Sequence, residues 1–376
     1  MQRSPSAALL PLGAALERLL LGVQRVHPRR LPPALALGAA ASEDVAAPAD
    51  LPAGAVAGRE GWAVLFGAVA GASPGSPVTL AAAPPWVDAG AAMPAGTDTV
   101  LPPDAFEPDP ANEVSAEAAP GEGVIGAGTE FRAGDPILLA GSRIGPQHLL
   151  ALGCAGIREV GIRVPRVALL ETAGAREHGA LGPALAALAR ACGAETAPIL
   201  AAEDGLLATA RAIASAAESA DLVFVIGGTG FGRTDCSAAA LARAGTLALH
   251  GVALRPGETA GFGSVAGCPV LLLPGRPDAA LAAFLALGRP LLGRLAGLAE
   301  PPARLSLPLS RKVSSALGLS EIVFLRRGAA GLEALGGSDI PLRRLLQVEG
   351  ALLVPPDREG YPQGAAVEMM PVWSPR

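Results

Sequence analysis

The middle third of the chain alternates short apolar segments with alanine-rich stretches, and this alternation constrains the fold more than any other feature. The strand candidates are RVALLE, ETAPIL, DLVFVIGG, TLALHGVAL and CPVLLLPG, and the predicted helices cover 178–193, 203–220, 234–245 and 278–295. Strands that alternate with helices form a parallel sheet with helices on both faces. We therefore expect a three-layer α/β/α domain whose ligands bind at the carboxyl ends of the strands.

One of these strands leads directly into a glycine-rich segment. In LVFVIGGTGFGRTD (222–235) the apolar run stops at Gly227, and an alanine-rich helical stretch follows Asp235. Glycines let backbone N–H groups face an anion, and a helix N-terminus adds partial positive charge. Threonine hydroxyls can donate to the same oxygens. The predicted phosphate-binding residues are Gly227, Gly228, Thr229, Gly230, Gly232 and Thr234.

The regions on either side of this domain differ from it in character. After an amphipathic helix predicted from about Ala14 to Val26, the chain up to residue 165 is rich in proline, glycine and short apolar runs. The residues from Pro301 onward alternate as short strands without helical periodicity. We expect a multidomain α/β protein with a β-rich N-terminal region (1–165), the central domain (166–300) and a small C-terminal β-barrel (301–376).

Composition and charge argue against several classes of protein. The formal net charge is −5 and the pI is about 5.5, so nucleic acid is not an expected partner. The four cysteines are widely spaced, which suggests neither a disulfide framework nor a zinc site. No charge-free apolar run reaches the roughly 18–20 residues that span a bilayer. A cytoplasmic protein without a membrane segment is the expectation.

Three motifs of the middle domain carry a family resemblance by their order and spacing. They are GGTGFGRTD (227–235), HGVALRPGETAGFG (250–263) and VLLLPGRPDAALAAF (270–284). The segments ALALGAAASEDVAAPADLPAG (34–54) and REGWAV (59–64) extend the match into the N-terminal region. Together they resemble the molybdopterin molybdenumtransferases, the enzymes related to the C-terminal part of gephyrin, over roughly residues 10–370.

The resemblance implies a ligand, a reaction and further site residues. Molybdopterin, adenylylated or not, is expected to bind with its phosphate at the glycine-rich segment. The second and third motifs add the binding positions Pro256, Gly257, Pro274, Gly275, Arg276 and Pro277. Members of the family hydrolyse the adenylylated pterin and insert molybdate into its dithiolene with Mg²⁺, which requires oxygen ligands for the cation and cations for the anions.

The resemblance also assigns the charged residues of the site. Glu60, Glu130 and Asp235 are the expected catalytic acids and metal ligands, and Arg255 is the expected clamp for an anion. A homodimer is implied as well, with a site between the middle domain of one subunit and the N-terminal region of the other. For Asp235 a helix N-cap is an alternative role that does not exclude metal binding. His250 is expected to support the site or the core rather than to catalyse.

The sequence departs from the family pattern at several charged positions. The acid pair of the family's TGDEL motif falls on Gly174 and Ala175, with Glu177 two residues beyond. The two lysines of its KPGKP motif become Arg255 and Glu258, so that one positive charge is kept and the other is reversed. The loss of one well-placed charge at a transition state costs about 10²–10³ in rate.

Three hypotheses about function follow from this combination of retained and altered motifs. The first is a molybdenumtransferase that completes the molybdenum cofactor. The second is a catalytically weakened paralogue that holds molybdopterin or the finished cofactor and delivers it to a client molybdoenzyme. The third is a dimerising scaffold of the family fold whose site is decaying.

Overall fold

The structure, a computed structural model, describes residues 9–106, 111–172, 179–299 and 304–372 of the chain. It separates into two units. Unit 1 comprises Met1–Glu43, Ala140–Pro146 and Glu159–Arg376, and unit 2 comprises Asp44–Leu139 and Gln147–Arg158. The expected boundary at 165/166 falls inside unit 1, and the boundary at 300/301 lies outside the described residues. The three expected domains therefore stay predictions.

The apolar strands of the middle region form one sheet of unit 1, the central sheet. Its strands in spatial order are Glu195–Thr196, Arg166–Glu171, Leu222–Ile226, Cys268–Leu273, Gly261–Val265 and Thr246–His250, with Leu200–Ala201 also paired to Arg166–Glu171. The strands Arg166–Glu171, Leu222–Ile226 and Cys268–Leu273 run parallel, as their alternation with helices predicts.

The predicted parallel sheet contains one reversed strand, Gly261–Val265, which was not predicted as a strand, whereas Thr246–His250 runs in the same direction as Cys268–Leu273. Gly261–Val265 pairs antiparallel with Cys268–Leu273, and Thr246–His250 pairs antiparallel with Gly261–Val265. Between Gly261–Val265 and Cys268–Leu273 lie only Ala266 and Gly267, with φ of 48° and 86°. A two-residue turn with positive φ at both positions joins antiparallel strands, whereas a parallel pair needs a long crossover. The central sheet is therefore mixed.

The predicted single strand TLALHGVAL is two strands in the structure. It is interrupted at Gly251, whose φ is 105°. The first half, Thr246–His250, stays in the central sheet, and the second half, Val252–Arg255, enters a different sheet. A glycine inside an apolar run often marks such a bend, because it adopts conformations that other residues avoid.

Helices cover both faces of the central sheet. Successive strand residues point to opposite faces, so that Leu169 and Phe224 join one core cluster while Leu170 and Val225 join another. The helices on the first face are Leu12–Leu20, Leu181–Ala191 and Pro277–Ala296, and those on the second are Leu206–Ser219 and Ser237–Ala244. The predicted three-layer α/β/α arrangement is confirmed.

The helix Pro277–Ala296 is long and apolar enough to pass a length-and-composition test for a membrane span. It consists of Pro277–Ala283, a π-helical turn Phe284–Gly288 and Arg289–Ala296. However, 72% of its apolar stretch is buried within the fold. Its Phe284 packs edge-on against Phe224, with 6.0 Å between the ring centroids. These contacts are those of a core helix.

A second sheet of unit 1 joins C-terminal strands to the middle region. Its order is Leu10–Pro11, Val252–Arg255, Ser320–Gly328, Gly350–Val354, Ala366–Pro371 and Leu305–Pro308, with Gly331–Gly336 paired to Ser320–Gly328. An isolated parallel bridge between Leu309 and Leu332 links the outer strands Leu305–Pro308 and Gly331–Gly336. The C-terminal barrel stays a prediction, and the membership of Val252–Arg255 in this sheet was not predicted.

Shorter elements complete both units. Unit 1 also contains the strands Arg29–Leu31, Ala40–Ala41, Val160–Arg163, Val313–Ser314 and Gly360–Tyr361, the 3₁₀ turn Pro33–Leu35 and the helix Leu342–Leu345. Unit 2 contains the strands Val45–Ala46, Val56–Ala57, Gly61–Val64, Val78–Thr79, Trp86–Val87, Thr99–Leu101, Glu113–Val114, Val124–Ile125 and Pro136–Leu138, with the helix Phe66–Val69 and the 3₁₀ turn Pro103–Ala105. The helix Pro146–Cys154 begins at the last residue of one segment of unit 1. Unit 2 is β-rich, as predicted.

Replacing Phe224 by alanine should destabilise unit 1 strongly. Phe224 is fully buried between the strands and the helix Pro277–Ala296, so its removal leaves a cavity that costs about 3–5 kcal/mol of unfolding free energy. Phe231→Ala is the matched control, because Phe231 is 76% exposed and its loss should cost under about 0.5 kcal/mol. Urea unfolding followed by far-ultraviolet circular dichroism measures both, and equal losses would contradict the packing described.

Candidate ligand site at the glycine loop

The glycine loop, residues 227–235, begins where the central strand Leu222–Ile226 ends. Gly227 and Gly228 have φ of 86° and 63°, a backbone conformation that residues with a Cβ rarely adopt. The Gly227 amide donates a 2.8 Å hydrogen bond to the Leu273 carbonyl of the neighbouring strand. The two glycines thus turn the chain sharply at the carboxyl edge of the central sheet, where ligands of such sheets bind.

Ser237 fixes the glycine loop to the helix that follows. Its side chain is fully buried, and its hydroxyl donates to the Gly227 carbonyl at 2.7 Å. Its amide donates to the Gly228 carbonyl at 3.0 Å. A Cβ on Gly228 would lie 2.7 Å from the Ser237 Oγ, closer than real Cβ atoms come to other atoms. The sequence fits this junction because only glycine leaves room for the serine.

The helix Ser237–Ala244 presents its N-terminus to the glycine loop. Its N-cap residue is Cys236, which makes no side-chain hydrogen bond to the first turn. The first amides of a helix have no intrahelical partners and carry a partial positive charge. The Ser237 amide is used by the Gly228 carbonyl, but with no capping side chain at the N-cap the next two amides of the first turn can interact with an anion held by the glycine loop.

Asp235 closes the tip of the glycine loop on itself. Its Oδ2 accepts the Gly232 amide at 2.8 Å, and its own amide donates to the Gly232 carbonyl at 3.1 Å. A Cβ on Gly230 would lie 2.6 Å from the same oxygen. The helix N-cap alternative for Asp235 is wrong, because the helix begins two residues later with Cys236 as its cap. Loop closure is a role that the sequence did not reveal.

Thr229 is held from two sides. It is 2% exposed, and its hydroxyl shares a 2.9 Å hydrogen bond with the hydroxyl of Thr259. The Nε2 of His250 lies 2.8 Å from the Thr229 carbonyl, and since a carbonyl only accepts, Nε2 carries the proton. His250 therefore supports the loop backbone, as predicted. Thr259 was missed, because a single threonine in a loop carries no signal of its own. Thr234, in contrast, is exposed.

The expected anion clamp, Arg255, already has an internal counter-charge. Its Nε lies 3.4 Å from Oε1 of Glu258, and Oε2 of the same carboxylate accepts the Gly257 amide at 3.0 Å. The bond between Arg255 and the buried Pro256 is a cis peptide. About 40% of each charged side chain is exposed, so the pair contributes roughly 0–1 kcal/mol of stability. Glu258 thus neutralises the charge of Arg255, but the ion pair between them is weak.

The third motif, LPGRP, is divided between the glycine loop and an ion-pair network. A Cβ on Gly275 would be 3.4 Å from the Gly227 Cα, so this glycine lies beside the glycine loop. The Arg276 guanidinium lies 2.8 Å from Asp278, which is buried, and 2.5 Å from Asp339. The hydrogen bond to Asp278 raises the pKa of Arg276 further. Arg276 therefore faces two carboxylates rather than an open anion site.

The remaining two residues of this motif shape the chain around the site. Pro274 is buried directly after the strand Cys268–Leu273. Pro277 occupies the first helical position of Pro277–Ala283, where a proline fits because that amide has no intrahelical acceptor. The two prolines support the turn, and no hydrogen-bond donor comes from their amides.

The two acids of the N-terminal region, Glu60 and Glu130, lie in unit 2, and both side chains are exposed. The turn that carries Glu60 is well supported, because the neighbouring Arg59 donates to the Val100 carbonyl at 2.6 Å and to Glu122 at 3.0 Å. A hydrogen bond from the Ala119 amide, followed by that from Arg59, lowers the pKa of Glu122. Glu60 thus projects from a fixed turn.

The Mg²⁺ site stays a prediction. Carboxylates are ligands that Mg²⁺ prefers, so Glu60, Glu130 and Asp235 fit the ion in their chemistry. Across residues 9–106, 111–172, 179–299 and 304–372, however, no group of three His, Cys, Asp or Glu side chains is placed to hold a metal. Gly174 and Ala175, which stand at the positions of the family's acid pair, and the nearby Glu177 fall outside the described residues.

Comparison with known proteins agrees with this architecture. Residues 175–294 match the family model described as "Probable molybdopterin binding domain", and residues 10–156 match "MoeA N-terminal region (domain I and II)". Molybdopterin molybdenumtransferase 2 of Mycobacterium tuberculosis is 28% identical over 315 residues, which cover 73% of this chain and 77% of that protein. The molybdopterin molybdenumtransferase of Haemophilus influenzae is 27% identical over 222 residues, 55% of each chain.

A solved structure shares the fold over nearly the whole length. The crystal structure of the molybdopterin biosynthesis MoeA protein from Pyrococcus horikoshii matches with a TM-score of 0.76, covers 96% of this chain and 99% of that one, and is 20% identical. A three-layer domain with a glycine loop at its carboxyl edge, together with a β-rich N-terminal region in the same chain, defines a multidomain α/β protein of the MoeA type. The chain belongs to the molybdopterin molybdenumtransferase family, as a divergent member.

Replacing Gly228 by alanine should disrupt the junction of loop and helix. The positive φ alone costs about 1–2 kcal/mol, and the clash with the buried Ser237 hydroxyl adds about 1–3 kcal/mol. Gly267→Ala is the matched control, because Gly267 has a φ of 86° but nothing within 4 Å of the added Cβ. The difference in unfolding free energy between the two variants isolates the clash, and no difference would refute the close approach.

Proposed function

We propose that this protein acts in molybdenum cofactor biosynthesis as a molybdopterin molybdenumtransferase, which binds adenylylated molybdopterin and inserts molybdate with Mg²⁺. The observation that carries the proposal is the glycine loop. It combines two positive-φ glycines at the end of a buried strand with a helix whose first turn has no capping side chain. Such a backbone cradle suits the phosphate of the pterin.

Each part of the site has a role in this proposal. Amides of the glycine loop and the exposed Thr234 hydroxyl bind the phosphate, and Gly275 keeps the neighbouring turn close without filling the space. Arg255 attracts an oxyanion once Glu258 moves away from it. A bound Mg²⁺ would supply charge neutralisation for molybdate and phosphate, and Glu60, Glu130 and Asp235 are its proposed ligands.

The proposal includes partners beyond the pterin. The resemblance to the family supports a homodimer in which a second copy supplies Glu60 and Glu130 to the glycine loop of the first. A cytoplasmic location belongs to the same proposal. In a dimer of this kind, a substitution in either region would reduce activity, and mixing two differently inactive variants would restore part of it.

A second candidate function is favoured by the state of the two cations in the motifs. Arg255 is paired with Glu258, and Arg276 is paired with Asp278 and Asp339. A site that stabilises oxyanions in a reaction needs positive charge that no nearby carboxylate offsets. Cations that are neutralised internally favour a protein that holds molybdopterin or finished cofactor through its backbone and passes it to a client molybdoenzyme.

A paired assay separates the two candidates. The purified protein is mixed with molybdopterin or its adenylylated form, together with magnesium and molybdate. Bound pterin is followed by fluorescence after oxidation, and turnover is followed by release of AMP. We expect binding in both cases and molybdate-dependent AMP release for the transferase. Tight binding without AMP would identify the carrier, and the absence of binding would refute both.

Replacing Glu258 by glutamine should strengthen the site for oxyanions. The amide still accepts the Gly257 N–H but no longer offsets the charge of Arg255, so molybdate affinity or AMP release should rise about three- to tenfold. Glu349→Gln is the matched control, because Glu349 is 40% exposed and paired with Arg327 in the second sheet. An unchanged molybdate response in Glu258→Gln, with pterin binding intact, would show that Arg255 is no anion clamp.

A further inference from the structure

Unit 1 contains a cavity of about 330 Å³ that shares no residue with the glycine loop. It is bounded by the helix Arg289–Ala296, by Cys192 after the helix Leu181–Ala191, and by Met370 and Pro371 of the last strand. Its volume falls at the lower end of the roughly 300–1,000 Å³ that is typical of small-molecule sites. The family motifs do not contribute to it.

Three arginines of this cavity have no carboxylate partner among the described residues: the half-buried Arg143 and Arg289 and the exposed Arg294. Arg143 donates to the carbonyls of Gly38 at 2.7 Å and Cys192 at 3.1 Å. Arg289 donates to the carbonyls of Pro371 at 2.7 Å and Val372 at 3.0 Å. A guanidinium has five N–H donors, so each arginine keeps donors beyond those used. Carbonyls orient both guanidiniums but do not neutralise them.

The charges of Arg143 and Arg289 add rather than cancel. Burial lowers the pKa of Arg143, and the nearby positive charge of Arg289 lowers it as well. A guanidinium in a protein nevertheless keeps its proton at neutral pH. Burial raises the pKa of the Cys192 thiol more than the two arginines lower it, so this thiol is neutral and supplies no counter-charge. The cavity is therefore positively charged and attracts an anion.

The other walls of the cavity are mostly apolar. They include Leu20, Leu285, Leu298 and Met370. Arg304 at the cavity pairs with Glu368 at 2.8 Å, whereas the exposed Arg294 donates to the Val23 carbonyl at 3.1 Å and adds to the positive charge. An inorganic anion would leave the apolar walls without contacts, whereas an organic acid would contact both the arginines and the apolar walls.

We propose that this cavity binds a small carboxylic acid, with its carboxylate between Arg143 and Arg289 and its apolar body against the leucines. Planar guanidiniums match carboxylates in geometry, and charge-assisted hydrogen bonds of this kind are roughly twice as strong as neutral ones. The site lies outside the motifs of the proposed function, so its test is independent of that function.

Binding of hexanoate to the full-length protein tests the charge requirement. Calorimetry at constant ionic strength compares hexanoate with hexanamide, its neutral analogue. We expect hexanamide to bind at least about tenfold more weakly, and Arg143→Gln and Arg289→Gln each to weaken hexanoate by a similar factor. Arg304→Gln is the control, expected to change affinity less than about threefold, since Arg304 is paired with Glu368.

Cys192 provides a second readout that needs no variant at the arginines. Hexanoate in the cavity should slow alkylation of Cys192 by iodoacetamide, measured peptide by peptide with mass spectrometry. The exposed Cys154 reports the intrinsic reactivity of the reagent and should be unaffected. Equal binding of hexanoate and hexanamide, no binding at millimolar concentration, or no protection of Cys192 at saturation would each overturn the proposal.

Discussion

The hydrogen bond from the buried Ser237 hydroxyl to the Gly227 carbonyl is the contact on which the candidate site depends. It fixes the helix Ser237–Ala244 to the end of the central strand, and the room it needs excludes any side chain at Gly228. With both ends of the glycine loop held in this way, its amides keep their direction without a ligand. The preorganisation of these donors favours binding, because little order remains to be imposed.

Charge is distributed differently at the two sites of unit 1. At the motifs, Arg255 and Arg276 face carboxylates of their own chain, whereas Arg143 and Arg289 donate to carbonyls and have no carboxylate partner among the described residues. A ligand at the motifs must compete with Glu258, whose exposed ion pair is worth at most about 1 kcal/mol. A ligand in the cavity instead finds positive charge that no carboxylate of the described residues offsets. Unit 1 thus contains one site whose arginines are paired with carboxylates and one, the cavity, where Arg143 and Arg289 are not.

The sequence predicted the layers and the glycine loop because both depend on local patterns. The apolar run Leu222–Ile226 and the glycines after it carry their own signal. The antiparallel strand Gly261–Val265 was missed, because its two glycines are more typical of a loop than of a strand. Its pairing follows from a two-residue turn, which the apolar pattern does not reveal. The closure of the loop by Asp235 and the support from Thr259 were also missed, because hydrogen bonds between residues in loops leave no periodicity.

This difference explains how binding and chemistry can diverge in one family. A phosphate site made of backbone amides depends on the glycines and on the residues that hold the loop, such as Ser237 and Asp235, rather than on charged side chains. Oxyanion chemistry depends on individual charged side chains, and a single reversal such as that at Glu258 changes the net charge beside Arg255. Under the proposed function, loss of charged side chains should therefore weaken the reaction before it weakens binding. The ion pairing of Arg255 is thus the more direct indicator of whether the site catalyses a reaction. The glycine loop is the more direct indicator of which ligand it binds.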